Sequence, residues 1–143
     1  MQLKASEIIN LYYEINGKTN VKADGSVDIV MHGLLRQKVS MKIKLYLHRL
    51  NTIVTEEFNN YASVEKELFK KYGKQQDDSD RFVIDKDNIE AFVKEQTELL
   101  SALKNIDVKG LWGTDLTIEN LSSVETDEDY PIFLKLVDNG IKD

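Results

Sequence analysis

The chain has 143 residues, 41% hydrophobic and 31% charged, with 25 acids against 19 bases and a net charge of −6. That describes one domain, residues 1–143, long enough to bury a core without staples and not disordered in composition. With no cysteine, disulfides, thiolate catalysis and zinc–sulfur sites are excluded and a reducing compartment is suited, while the negative charge disfavours non-specific binding to nucleic acid.

The first stretch, MQLKASEIINLYYEIN, lacks the apolar core of a signal peptide. Nowhere does the sequence approach the ~18 apolar residues of a membrane span, so it reads as soluble and intracellular. Ala5, Ile8, Ile9 and Tyr12 recur at helical spacing, and Asn16-Gly17 closes that short amphipathic helix. An alternating segment with Asp24-Gly25 at its centre then predicts a β-hairpin at about 19–23 and 27–31. A two-residue turn would mix polar and apolar side chains on both faces. Pairing Val21 with Ile29 and Ala23 with Val27 keeps Thr19, Val21, Ala23, Val27, Ile29 and Met31 on one face, which implies an odd-length loop.

The dominant signal runs from about Val39 to Tyr72. Val39, Ile43, Tyr46, Leu47, Leu50, Val54, Phe58, Tyr61, Val64, Leu68 and Tyr72 form one stripe at 100° per residue. Ser40 is placed to cap this helix, and Gly73 stands where a left-handed terminal residue is usual. A helix of about 33 residues would be roughly 50 Å long. Residues 73–80 read as a polar loop and 81–84 as a short strand. A second helix then runs from a cap at Asp85, with Ile84 and Ile89 as a staple, or from an Asp87/Glu90 capping box, to near Asn105. Its stripe is Ile89, Phe92, Val93, Gln96, Leu100 and Leu103.

The two helices are expected to form an antiparallel hairpin over about 39–105. In it Val54, Phe58, Tyr61 and Leu68 meet Phe92, Val93, Leu100 and Leu103, and Leu100→Ala costs on the order of 2–5 kcal/mol. Gln96 should find a partner or lie at the wet edge of the stripe. The opening half of the long helix is left to the N-terminal helix and the β-hairpin. Residues 106–108 and 116–118 read as strands flanking Gly110-Leu111-Trp112-Gly113. A final short helix is bounded by Pro131, with Asp129 or Tyr130 as its cap, and by Asn139-Gly140. The fold class is α+β, mainly helical, with a small β-sheet or hairpin and short terminal helices.

Chemistry is hard to place. His32 and His48 have no spacing partner, and no three or four metal ligands converge. The acidic run 77–80 lacks the glycine and the twelfth-position glutamate of a calcium loop. The glycines around Trp112 do not make a phosphate cradle, and no serine has a histidine-and-acid pattern. Glu56-Glu57 and Glu95/Glu98 lie on helix faces with nothing to pair them across a cleft. No enzyme activity, catalytic residue or cofactor is expected.

Charge is unevenly spread: Arg36, Lys38, Lys42, Lys44 and Arg49 form a basic run without an acid, and the stretch 112–143 holds eight acids against Lys135 and Lys142. Lys38, Lys42 and Arg49 share one helix face, Lys44 and His48 another. Either the acidic tail around Asp127, Glu128 and Asp129 neutralises these cations within the chain, or they meet a partner. Trp112 either closes one end of the core or is an exposed interface anchor. The candidate partner-binding set is therefore Arg36, Lys38, Lys42, Lys44, Arg49 and Trp112.

The segments LKASEIINLYYEI, KVSMKIKLYLHRL, ELFKKYGK, FVIDKDNIEAFVKEQTELLSALKNIDV and LTIENLSSVETDEDYPIFL, in that order, resemble short tailed-bacteriophage proteins of unassigned function. The likeness covers most of the chain in pattern and order. Residues 20–33 look like an addition to that pattern, and 110–114 are less typical. The resemblance transfers no catalytic or binding residue. It implies a virus-encoded, non-enzymatic interaction protein: a virion structural or connector component, or an assembly factor. Its partner would be a protein, other virion subunits or copies of itself, with no membrane and with nucleic acid not the main partner. It would act in the host cytoplasm during infection or in the virion. The rival reading is a small acidic inhibitor of a host defence protein that acts as a nucleic-acid decoy, for which the acids from Asp115 to Asp143 should form one exposed face.

Overall fold

The computed structural model describes residues 1–76, 82–117, 121 and 130–139. In chain order the elements are β1 Gln2–Lys4, α1 Ala5–Asn16, β2 Lys18–Val21, β3 Val27–Met31, α2 Met41–Tyr72, β4 Gly73–Gln75, β5 Phe82–Ile84, α3 Ile89–Leu100, β6 Leu103–Asn105, α4 Val108–Leu111 and α5 Pro131–Asn139. The fold is α+β and mainly helical. Among the described residues no helix is long and apolar enough to cross a membrane.

Helix α2 has 32 residues and begins where its sequence allows: the Ser40 hydroxyl accepts from the Ile43 amide at 3.3 Å, and Lys70 and Lys71 complement the negative end of the helix dipole. Its stripe is buried through Ile43, Tyr46, Leu47, Leu50, Val54 and Leu68. Phe58 and Tyr61 are half-buried and Val64 is exposed, so cover thins along the distal half.

Helix α1 supplies most of that cover. It lies along α2, with the Tyr12 ring stacked on Phe58 at 4.0 Å and the Asn16 and Asn51 carboxamides exchanging hydrogen bonds of 2.9 and 3.1 Å. Helix α5 packs on α1, making α1 a central element and not a peripheral one. Its link to α5 is a buried carboxylate. Glu14, 2% exposed, accepts from the Phe133 amide at 2.9 Å and the Ile132 amide at 3.3 Å, taking up two donors that Pro131 leaves at the start of α5. Tyr130 holds the cap position, since its carbonyl accepts from the Leu134 amide at 3.1 Å. Its hydroxyl donates to the His32 carbonyl at 2.7 Å and accepts from Gln37 at 2.9 Å.

The helical hairpin exists but is shorter than the periodicity suggests. Lys71 bonds Glu95 at 3.0 Å and Lys104 lies 3.6 Å from Glu57, which sets α3 antiparallel to α2. Helix α3, however, has only 12 residues, and neither Asp85 nor Asn88 makes a side-chain cap bond. Phe92 is buried. Val93 and Leu103, expected in the interface, are 49% and 63% exposed, and Leu100 is only partly buried. Leu103 belongs to β6, which pairs antiparallel with β1 (Leu3 opposite Lys104). That pairing ends the helix, because the backbone donors and acceptors of 103–105 go to the N-terminal strand. Gln96 sits at the half-exposed edge of the stripe.

At the far end of α2, Gly73 is extended (φ −115°) and opens β4, which pairs with β5; the left-handed cap and the loop beginning at residue 73 are both replaced by a strand. Phe69, Phe82, Phe92 and Tyr72 form a small aromatic cluster there. Residues 77–81, with the acidic run, lie outside the described set.

The strand expected at 106–108 is instead the start of α4, capped by Asp107, whose carboxylate accepts from the Gly110 amide at 3.0 Å. Leu116 is buried without strand pairing, and Ile118 lies outside the described residues.

Candidate interaction surface

One cation in the basic opening of α2 is engaged within the chain. Lys42 is tied to Asp115 at 3.2 Å, and the Tyr46 hydroxyl donates to the same carboxylate oxygen at 2.6 Å. The tyrosine hydrogen bond first, and the Lys42 ammonium second, hold the Asp115 carboxyl below the ordinary carboxylate range. Tyr46→Phe and Lys42→Gln are each expected to move the Asp115 titration upward, as followed by NMR. A titration that neither substitution moves would mean that the contact does not form in solution.

One member of the acidic stretch thus neutralises one cation within the chain; Asp127, Glu128 and Asp129 lie outside the described residues. Arg36 and Arg49 are exposed and Lys44 is half-buried, each without an acidic partner among the described residues, and Lys38 is exposed. The decoy reading needs Asp115 on an open acidic face, and its engagement with Lys42 and Tyr46 counts against that.

Trp112 is not an exposed anchor. It is 4% exposed and packs between Tyr46 and Phe133, with ring centroids 6.4 and 6.2 Å away. Its indole nitrogen has no hydrogen-bond partner among the described residues. The single turn of α4 swings the side chain inward, where a strand–turn–strand would have offered it to solvent.

One apolar surface that does stand open is the β2–β3 hairpin. Lys22 and Ser26 close a three-residue loop, Ala23-Asp24-Gly25, with Gly25 at φ 85° and its amide donating to the Lys22 carbonyl at 3.0 Å. The loop is odd-length, as expected, but Val21 pairs with Val27 and Thr19 with Ile29, a shift of two residues from the expected register. The apolar side chains keep their shared face. None of the described residues covers that face: Val21, Val27 and Ile29 are 67%, 58% and 51% exposed, and Val30 on the reverse is 61% exposed. The hairpin therefore does not pack on α2.

A two-stranded hairpin is marginal alone, and its foot explains how it holds. Gly33 is buried against the end of α1, where a Cβ would come within 2.5 Å of the Ile15 carbonyl oxygen and 2.6 Å of the Gly17 nitrogen. Only a glycine allows the chain to pass so close.

Between this foot, the end of α1 and the 3₁₀ turn Leu34–Arg36 lies a cleft of about 360 Å³, lined by Tyr12, Tyr13, Lys18, His32 and Arg36 beside Ile29 and Met31, with no acid in its lining. A bulge between Lys18 and Thr19 turns Lys18 into the cleft, and its ammonium lies 5.1 Å from the Tyr13 ring centroid. Of the cleft's basic side chains only Arg36 belongs to the sequence-derived set. Lys18 and His32 carry no local signal, since a bulge and a chain crossing bring them there.

Among the described residues no three histidine or acidic side chains converge as a metal site would require. The fold and surface define an α+β, mainly helical domain that displays an uncovered hairpin. No protein-family model, no curated protein and no solved structure matches the chain.

Proposed function

We propose that this is a non-enzymatic interaction protein of a tailed bacteriophage, a virion structural or connector component or an assembly factor, working through its β2–β3 hairpin. The viral part of this reading rests on the resemblance in sequence. The interaction part rests on one observation: Val21, Val27, Ile29 and Val30 stand in solvent on a hairpin whose foot packs against the end of α1. Fully burying such a side chain stabilises by ~1.5–3 kcal/mol, so an apolar strand edge left open is a docking liability unless something covers it. Association itself costs an estimated 4–15 kcal/mol. Three or four aliphatic side chains are thus comparable to that cost and suit a modest interface reinforced by avidity or by charge.

Mass spectrometry of purified particles is the test. The protein is expected at a stoichiometric copy number, or bound to assembly intermediates if it is an assembly factor. A Val27→Lys, Ile29→Lys variant is expected to keep its melting temperature and lose that association, because both positions are exposed in the free chain. Particles that assemble normally without the protein, or association that survives the variant, would overturn the reading.

A further inference from the structure

We propose that the cleft at the foot of the hairpin, continued by the hairpin's odd-numbered face, receives an acidic segment of a protein partner, with carboxylates next to aliphatic side chains. This builds on the interaction reading and names the chemistry of the partner. The cleft gathers Lys18, His32 and Arg36 with no acid in its lining, in a chain of net charge −6. Lys22, Lys42, Lys71, Lys104 and Lys135 each have an acid within 4 Å, and Lys44 and Arg49 have none among the described residues, so the cleft is set apart by its basic side chains sharing one concavity and not by their being unpaired. Arg36 and His32 have no side-chain partner among the described residues, and neither do the Tyr12 and Tyr13 hydroxyls. Guanidinium, ammonium and phenol donors converging on one concavity match carboxylates. The apolar floor from Ile29 and Met31, running out to Val21 and Val27, matches aliphatic side chains.

Serving the negative end of α1 does not account for the cations. At that end the Tyr13 carbonyl already accepts from the Gly17 amide at 2.7 Å and the Tyr12 carbonyl from the Asn16 side chain at 2.9 Å. Single-stranded nucleic acid would supply anions too, but it binds through free aromatic faces as well as charge. Here Tyr12 is stacked on Phe58 at 4.0 Å, and Tyr13 meets Tyr12 edge-on at 5.4 Å under the Lys18 ammonium. The surface that remains open is aliphatic, which favours a peptide.

The experiment is selection of random displayed peptides on the full-length chain, followed by fluorescence anisotropy with the enriched peptide made synthetically. Enrichment of Asp and Glu beside Leu, Ile or Val is expected, with binding that weakens as NaCl rises. Lys18→Glu with Arg36→Glu should weaken binding on the order of tenfold or more, and Arg49→Glu, outside the cleft, should not. Arg36→Ala alone serves if the double variant does not fold, and should weaken binding in the same direction. Failure to enrich acidic peptides, equal binding by the cleft variants, or tighter binding of a single-stranded oligothymidylate would overturn the proposal. Should the cleft variants still associate with particles while Val27→Lys, Ile29→Lys does not, the interaction reading stands and this inference alone falls.

Discussion

Raising the pH from 4.5 to 7 is expected to cost this protein stability, and Glu14→Gln is expected to remove most of that cost. Glu14 is 2% exposed, and burial lifts its carboxyl from the ordinary 4.5 to about 7, against the pull of the Phe133 and Ile132 amides. Across that window the folded chain keeps a proton that the unfolded chain has released, so stability falls as pH rises and levels off above about 7. A difference of this size is worth roughly 3 kcal/mol at 1.36 kcal/mol per pH unit. No charged side chain contributes to the shift, so salt should alter the slope little. Urea unfolding of the two proteins across the pH range is the measurement. Equal slopes would mean that the carboxylate is hydrated and that α5 is not held by it. Glu14→Ala should be worse than Glu14→Gln at every pH, because it strips both amides of their acceptor and leaves a void.

Leu50→Ala is expected to cost on the order of 2–5 kcal/mol and Leu100→Ala only about 1 kcal/mol. Periodicity alone ranks them together, since both lie on the apolar stripe of a helix. In the structure Leu50 is 0% exposed in the middle of α2, in the core that also holds Leu11, Ile15 and Leu47. Leu100 is the last residue of α3 and only partly buried, so its truncation leaves a dent that water fills and not a cavity. A loss at Leu100 as large as that at Leu50 would mean that α3 runs on past residue 100 in solution and covers more of α2.

The elements that were legible in the sequence are those specified by local chemistry. Helix α2 follows from a long stripe with a serine at its start. Helix α1 ends where Asn16-Gly17 says it should, and α5 begins at Pro131 because proline is tolerated only in the first turn. The hairpin's shared apolar face was also readable, but its register was not. Shifting the strands by two residues leaves every side chain on the same face, so hydrophobic pattern cannot separate the alternatives and the geometry of the Asp24-Gly25 turn decides.

Contacts between residues a hundred apart were decided by tertiary structure alone. Whether the second helix continues through Leu103 depends on β1 being there to pair with β6, and helical periodicity carries no information about that competitor. Glu14 looks like an ordinary polar position on α1 until Phe133, 119 residues away, brings it two amides. Trp112 became core through the fold of α4, and Arg36 joined Lys18 and His32 in one cleft because Gly33 lets the chain cross the end of α1 at backbone contact distance. Local sequence sets which backbone shapes are cheap, but the burial of a carboxylate or an indole, and the gathering of basic side chains in one cleft, depend on which distant surface arrives.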